Sequence, residues 1–143
     1  MTTEQQEKVN KITRIANGKI LTPKGWIGHG NLFLKGNKIW KLEHEDQPLT
    51  NNEEKVFDAE GMYVVPGGID LHVHGGGGHD FMEGTEESFR TAVAAHMQHG
   101  TTAILPTLAA STLPMIRAAV ATTEKLMAEG DSPIIGLHLE GPY

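Results

Sequence analysis

Beyond Met62 the chain alternates short extended runs with helical runs of a dozen residues or more, and few folds accept that rhythm. Residues 62–65 and 69–74 read as extended, with Pro66-Gly67-Gly68 between them. Thr85 can cap a helix whose first turn carries Glu86 and Glu87, which suits the positive end of the helix dipole. Phe89, Val93 and Met97 give that helix an apolar stripe at helical spacing, and Gly100 stops it. Residues 101–106 form the next extended run. Ser111 or Thr112 opens a second helix with Ile116, Val120, Thr123 and Met127 on one face and Gly130 at its end. Residues 133–140 close the series as a third strand. Strands separated by helices of this length predict right-handed βα units on a parallel sheet, an α/β fold. No sequence repeat of 20–50 residues underlies the alternation.

The region before it has a different grammar. From Ile12 the apolar runs are short and broken by Gly, Asn and Pro, as in an antiparallel β unit. Residues 31–42 read as a hairpin with Gly36-Asn37 as its two-residue turn. Residues 43–54 read as a polar loop holding Pro48, and Trp26, Phe33 and Trp40 as the core of this unit. The expected organisation is a flexible tail over 1–10, a small β domain over 11–62 and a βα region over 63–143.

Composition excludes several function classes. The 143 residues have 38% hydrophobic and 21% charged side chains, the balance of a globular domain with a real core. No run of 18 or more apolar residues is present, so no membrane partner is expected, and the polar N-terminus lacks a secretory h-region. The absence of cysteine excludes disulfides and thiolate metal ligands, and fits a cytoplasmic location. The net charge of −6 is uneven: residues 1–55 hold nine Lys/Arg against seven Asp/Glu, and residues 56–143 hold three against eleven. Without a clustered basic face, nucleic acid is not an expected partner. An acidic region with four histidines between positions 72 and 96 suits a cation better.

The chemistry concentrates in two segments. In Ile69-Asp70-Leu71-His72-Val73-His74, alternate side chains of a strand share a face, so Asp70, His72 and His74 point one way. Two imidazoles about 6–7 Å apart along a strand can converge on one ion; two surface histidines are the plainer alternative. Gly75-Gly76-Gly77-Gly78 follows and lacks the Gly-Lys-Ser/Thr ending of a phosphate loop. Its value lies in backbone freedom, either for close approach of a ligand or merely as a flexible loop. In the third strand His138 and Glu140 share a face, and Glu140 stands last, before Gly141-Pro142. If the sheet belongs to a parallel barrel, both segments end at its functional rim. His72, His74 and Glu140 are then the candidate metal ligands, a set suited to Zn²⁺ or Fe²⁺. His138 lies one layer deeper and is expected beneath the ligands. His79 and Asp80 are candidates to line the pocket. His96 and His99 are expected to be packed or solvated on the first helix, and Arg90 and Arg117 to face solvent.

Residues 65–75, together with the segments 75–82, 100–107 and 138–143, resemble the amidohydrolase superfamily and, within it, the N-acetylglucosamine-6-phosphate deacetylases. The His-x-His is superfamily-wide, whereas Leu139-Glu140-Gly141-Pro142 is more specific to the deacetylases. The resemblance implies a (β/α)₈ barrel with a small β domain, of which this chain would hold the first three βα strands, since a full barrel needs about 250 residues. It implies one or two divalent ions, with Glu140 as the principal ligand and His72 and His74 as the pair used by members that hold a second metal. It implies hydrolysis of the acetamide of a small-molecule amino-sugar phosphate, and a homodimeric parent. No catalytic residue is assigned: the general acid/base, the further histidines and the phosphate-binding groups are expected beyond Tyr143, which would leave this chain an inactive fragment. A purine deaminase, a cyclic-amide hydrolase or a non-catalytic fragment are the alternatives, and Glu-Gly-Pro weighs against the first two.

Overall fold

A computed structural model of the chain describes residues 12–44 and 55–141, and the chain divides into two compact units, Met1–Pro66 and Gly67–Tyr143. The expected tail over 1–10, most of the loop over 43–54 and Pro142 of the final turn lie outside the described residues.

The first unit is built on β1 (Ile12–Thr22), paired antiparallel with β2 (Gly25–Lys35). Thr22 closes the turn between them: its Oγ1 accepts from the Lys24 amide at 3.2 Å and donates to the Gly25 carbonyl at 2.7 Å. Gly36-Asn37 then turns β2 into β3 (Lys38–His44), with Lys35 opposite Lys38 and Gly36 at φ 59°, where glycine costs least. On the far side β4 (Lys55–Asp58) and β5 (Tyr63–Val64) both run parallel to β1. The sheet is therefore mixed, not purely antiparallel. Tyr63-Val64, read from its rhythm as part of the following region, hydrogen-bonds into this sheet instead, so the unit runs on to Pro66.

The core of this unit is aliphatic: Ile20, Ile27 and Leu32, with Ile15, Leu34 and Val64 against them. Of the three aromatic residues expected inside, Phe33 is buried, but Trp26 and Trp40 are each 55% exposed. Trp40 lies on the edge strand β3, and Trp26 packs edge-on against Tyr63 at 5.2 Å. Arg14 is buried, and its Nε donates to Asn31 Oδ1 at 3.2 Å, which meets part of the cost of removing a guanidinium from water.

The second unit carries the βα rhythm. β6 (Gly68–Val73) is followed by a miniature hairpin of β7 (Gly75–Gly76) and β8 (His79–Asp80), then a 3₁₀ turn (Phe81–Glu83) and α1 (Glu86–Met97). β9 (Thr101–Leu108), α2 (Leu113–Met127) and β10 (His138–Leu139) complete it. The three main strands are parallel in the order β10-β9-β6, a mixed α/β arrangement with each helix linking neighbouring strands. β10 is shorter than the sequence suggests. The segment before it touches β9 at the Ile104–Ile134 bridge, and regular pairing resumes at His138 opposite Thr107.

The ends of α1 behave as its sequence dictates, whereas Thr112 opens α2 without a side-chain cap bond and α2 ends at Met127, three residues before Gly130. Thr85 Oγ1 accepts from the Ser88 amide at 3.1 Å, and Gly100 takes φ 93° after the last turn of α1. Phe89 and Val93 of the stripe are buried while Met97 is exposed. Phe81, Phe89, Ile104, Leu108 and Leu126 form the centre of the core, the two phenylalanine rings meeting edge-on at 4.8 Å. Burial of each such side chain contributes about 1.5–3 kcal/mol. That packing fixes where the strand ends stand.

Candidate metal centre

Three donors meet at the carboxyl ends of the outer strands. His72 comes from β6, His74 follows that strand directly, and Glu140 follows β10. His72 Nε2 is 3.3 Å from His74 Nε2 and 2.7 Å from Glu140 Oε1, and His74 Nε2 is 3.5 Å from Glu140 Oε2. All three ligating atoms lie within 4.8 Å of one another, and the side chains are 41–50% exposed, so the cluster faces open solvent. Donors in a tetrahedral shell with bonds of about 2.0–2.1 Å sit about 3.3–3.4 Å apart. Two of the three separations match that spacing closely. Two imidazoles and one carboxylate also suit a borderline divalent cation in chemistry, so the residues present fit one.

Local irregularity aims these side chains. The pairing of β6 with β9 slips between Asp70 and Val73, a bulge that adds a residue to β6 and increases its twist. Asp70 does not join the cluster; its Oδ1 turns back to accept from the His72 amide at 3.1 Å. The Val73 amide donates to Thr107 Oγ1 at 2.9 Å. His138 packs its ring edge-on against His72 at 4.7 Å, with Nδ1 3.4 Å from Thr107 Oγ1, so it supports the cluster from beneath. Sequence reasoning missed Thr107, whose role depends on which strand lies beside it. The only local hint was a polar residue closing an apolar strand.

The remaining candidates are structural. His79 Nδ1 bonds Glu83 Oε2 at 3.1 Å, and Asp80 caps the 3₁₀ turn, accepting from the Met82 amide at 2.7 Å while its own amide donates to Glu83 Oε1 at 2.8 Å. Both secure the turn, and neither belongs to the group formed by His72, His74 and Glu140. The Asp80 amide and the His79 imidazole lower the Glu83 pKa below its ordinary value, the amide most strongly. The glycine run forms a tight hairpin directly after His74, crowded at Gly75 and Gly76 and open at Gly78. Gly77 and Gly78 take φ 60° and 87° at the tip of the β7–β8 hairpin, and a side chain at Gly75 would stand 2.1 Å from the His79 carbonyl oxygen. His96 is packed, its Nε2 2.8 Å from the Gly75 carbonyl oxygen, and His99 is exposed. Arg90 and Arg117 are both exposed as expected, and Arg90 pairs at the surface with Glu129 and Glu86. All three basic residues after position 55 are helical, and two of them, Arg90 and Lys125, are engaged with Glu129 and Glu86. Among the described residues no helix is long and apolar enough to cross a membrane.

Comparison with known proteins gives a consistent picture. The amidohydrolase family model matches residues 63–143. The N-acetylgalactosamine-6-phosphate deacetylase of Shewanella sp. (strain ANA-3) is 40% identical over 131 residues, 90% of this chain and 33% of that protein. The human N-acetylglucosamine-6-phosphate deacetylase is 30% identical over 148 residues, 98% of this chain and 35% of that protein. The crystal structure of N-acetylglucosamine-6-phosphate deacetylase from Pasteurella multocida superimposes with a TM-score of 0.84 at 27% identity, over 92% of this chain and 35% of that one. The chain thus spans about a third of the length of these relatives. The deacetylase resemblance read from the motifs extends over most of the described strands and helices, and the chain belongs to the amidohydrolase family.

Proposed function

We propose that this chain supplies the metal centre and opening strands of a deacetylase that hydrolyses the acetamide of N-acetylglucosamine 6-phosphate to glucosamine 6-phosphate and acetate. The observation that carries this reading is the meeting of His72, His74 and Glu140 at one point in a chain of this family. In the same reading the three parallel strands and their helices begin a (β/α)₈ barrel, supported by the likeness to the Pasteurella enzyme. Such barrels gather functional side chains at the carboxyl ends of their strands, where all three donors sit.

Zinc or iron held by these residues would supply the Lewis acidity that activates water and polarises an acetamide carbonyl. His72 and His74 would donate through Nε2 without adding charge in their neutral form, and Glu140 would add a single negative charge. The site would therefore keep net positive charge to attract an amide oxygen. The ring of His138 against His72 limits how far that imidazole can swing. Proton transfer to the leaving amine and the grip on the phosphate are assigned to no described residue; Arg90 and Lys125 are already engaged with Glu129 and Glu86.

A second reading concerns the sugar. The 40% identity to the Shewanella protein favours N-acetylgalactosamine 6-phosphate, the epimer at C4, with the same acetamide chemistry. The ratio of kcat/KM for the two epimers, measured on the complete enzyme, separates these readings.

Calorimetric titration of the 143-residue chain with Zn²⁺ tests the metal centre. Binding is expected, and Glu140→Gln and His72→Gln should each weaken it at least as much as the roughly 10–100-fold that loss of a supporting partner costs. Binding that is absent, or indifferent to both substitutions, overturns the reading. The same chain with Zn²⁺ or Fe²⁺ is expected to turn over neither sugar phosphate; near-enzymatic turnover would place the proton-transfer groups among the residues described here.

A further inference from the structure

We infer that Thr107 is a positioning residue for the candidate metal centre: its buried hydroxyl fixes the backbone between His72 and His74 and supports His138 beneath them. The inference rests on the metal reading above, but its geometric half stands apart from it. Thr107 is 0% exposed and sits at the end of β9, between the two strands that bring the donors. Its Oγ1 accepts from the Val73 amide at 2.9 Å, lies 3.4 Å from the Leu105 carbonyl oxygen, and lies 3.4 Å from His138 Nδ1. A hydroxyl offers one proton and two lone pairs, so it can donate to Leu105 while accepting from Val73 and from a protonated His138 Nδ1. One small group thereby touches all three strands.

The need for it follows from the ladder. Pairing between β6 and β9 slips after Asp70, and Pro106, opposite Val73, has no amide to contribute. The hydroxyl occupies the place where regular pairing is interrupted. The adjacent amide, His72, is held by Asp70 instead. Two successive amides of the ligand-bearing segment are thus held by side chains, and both bonds act on the backbone φ/ψ angles from which His72 and His74 project. Valine, nearly the same shape without the hydroxyl, removes the bond and little volume; serine keeps the bond and loses a methyl.

Amide exchange and Zn²⁺ calorimetry on the full chain test the inference. In the wild type without metal, the Val73 amide should exchange as slowly as core amides of β9; rapid exchange there overturns the inference before any variant is made. In Thr107→Val, Val73 exchange should accelerate at least 10-fold and Zn²⁺ affinity should fall by about 10–100-fold, the range for supporting partners of metal ligands. Thr107→Ser should restore both. Faster exchange with unchanged Zn²⁺ affinity overturns the positioning role and leaves Thr107 a strand-pairing residue. If the wild type binds no Zn²⁺, the metal reading fails and the role toward the ligands fails with it, while the exchange data still decide whether the hydroxyl holds the segment. Should Thr107→Val not fold, the wild-type exchange rate and the serine variant carry the test.

Discussion

The two units bury their apolar side chains by different means, and only one of them carries the cluster. In the first, a single mixed sheet buries the aliphatic face of Ile20, Ile27 and Leu32 and leaves Trp26, Trp40 and Phe57 about half exposed. In the second, two helices lie over three parallel strands and seal Phe81, Phe89, Ile104 and Leu108 almost completely. The side chains with metal-binding chemistry stand at the ends of these strands. The first unit has histidines as well, His29 and His44, but both are exposed and neither joins a cluster of metal-binding groups among the described residues. Donor residues alone do not make a centre; a packed layer beneath them must fix their directions.

That contrast can be broken by mutation. Phe89→Ala removes a fully buried ring and should destabilise the second unit by about 3–5 kcal/mol. Trp40→Ala removes a ring that is half in water and touches Phe33 edge-on at 6.4 Å, and should cost about 1 kcal/mol. Denaturant unfolding of both variants gives the comparison; equal losses would mean that the exposed aromatics of the first unit contribute as much as a closed core. Gly77→Ala tests whether the β7–β8 hairpin is a built element. At φ 60°, with Thr91 Cγ2 3.1 Å from the added Cβ, the loss should be about 1–2 kcal/mol, and a neutral substitution would show that the turn relaxes freely.

The smallest effect is electrostatic. The Glu83 pKa is lowered from 4.5 chiefly by the Asp80 amide, then by His79. A carboxyl lowered on folding contributes stability above its unfolded pKa, and that contribution disappears as pH falls through the folded value. The difference in Tm between wild type and Glu83→Gln should therefore be present at pH 7 and close below 4.5. A difference that persists at pH 3 would assign the effect to packing.

Features set by neighbouring residues were readable from the sequence. The Gly36-Asn37 turn, the Thr85 cap and the Gly100 stop depend on a few consecutive residues, and each stands where its local chemistry puts it. The meeting of His72, His74 and Glu140 was also legible, because strand period and parallel direction together send both segments to the same edge. What escaped was non-local. Tyr63-Val64 is as extended as its pattern says, but a two-residue strand does not announce its partner. The burial of a tryptophan depends on what lies across the sheet, and nothing in the residues around Trp40 specifies that. The bulge in β6 lies against Pro106, a residue more than thirty positions away, so neither it nor the contact with Thr107 is visible in the His-x-His segment itself.

The hairpin next to the cluster limits how this site can be altered. Any side chain at Gly75 collides with the His79 carbonyl oxygen, and one at Gly76 would press on His96 Nε2 at 2.9 Å. Glycine is therefore the residue that fits at both positions directly after His74. Substitution next to the cluster is confined by close contacts at Gly75 and Gly76, whereas Gly78 meets open space and is restricted by its φ of 87° alone.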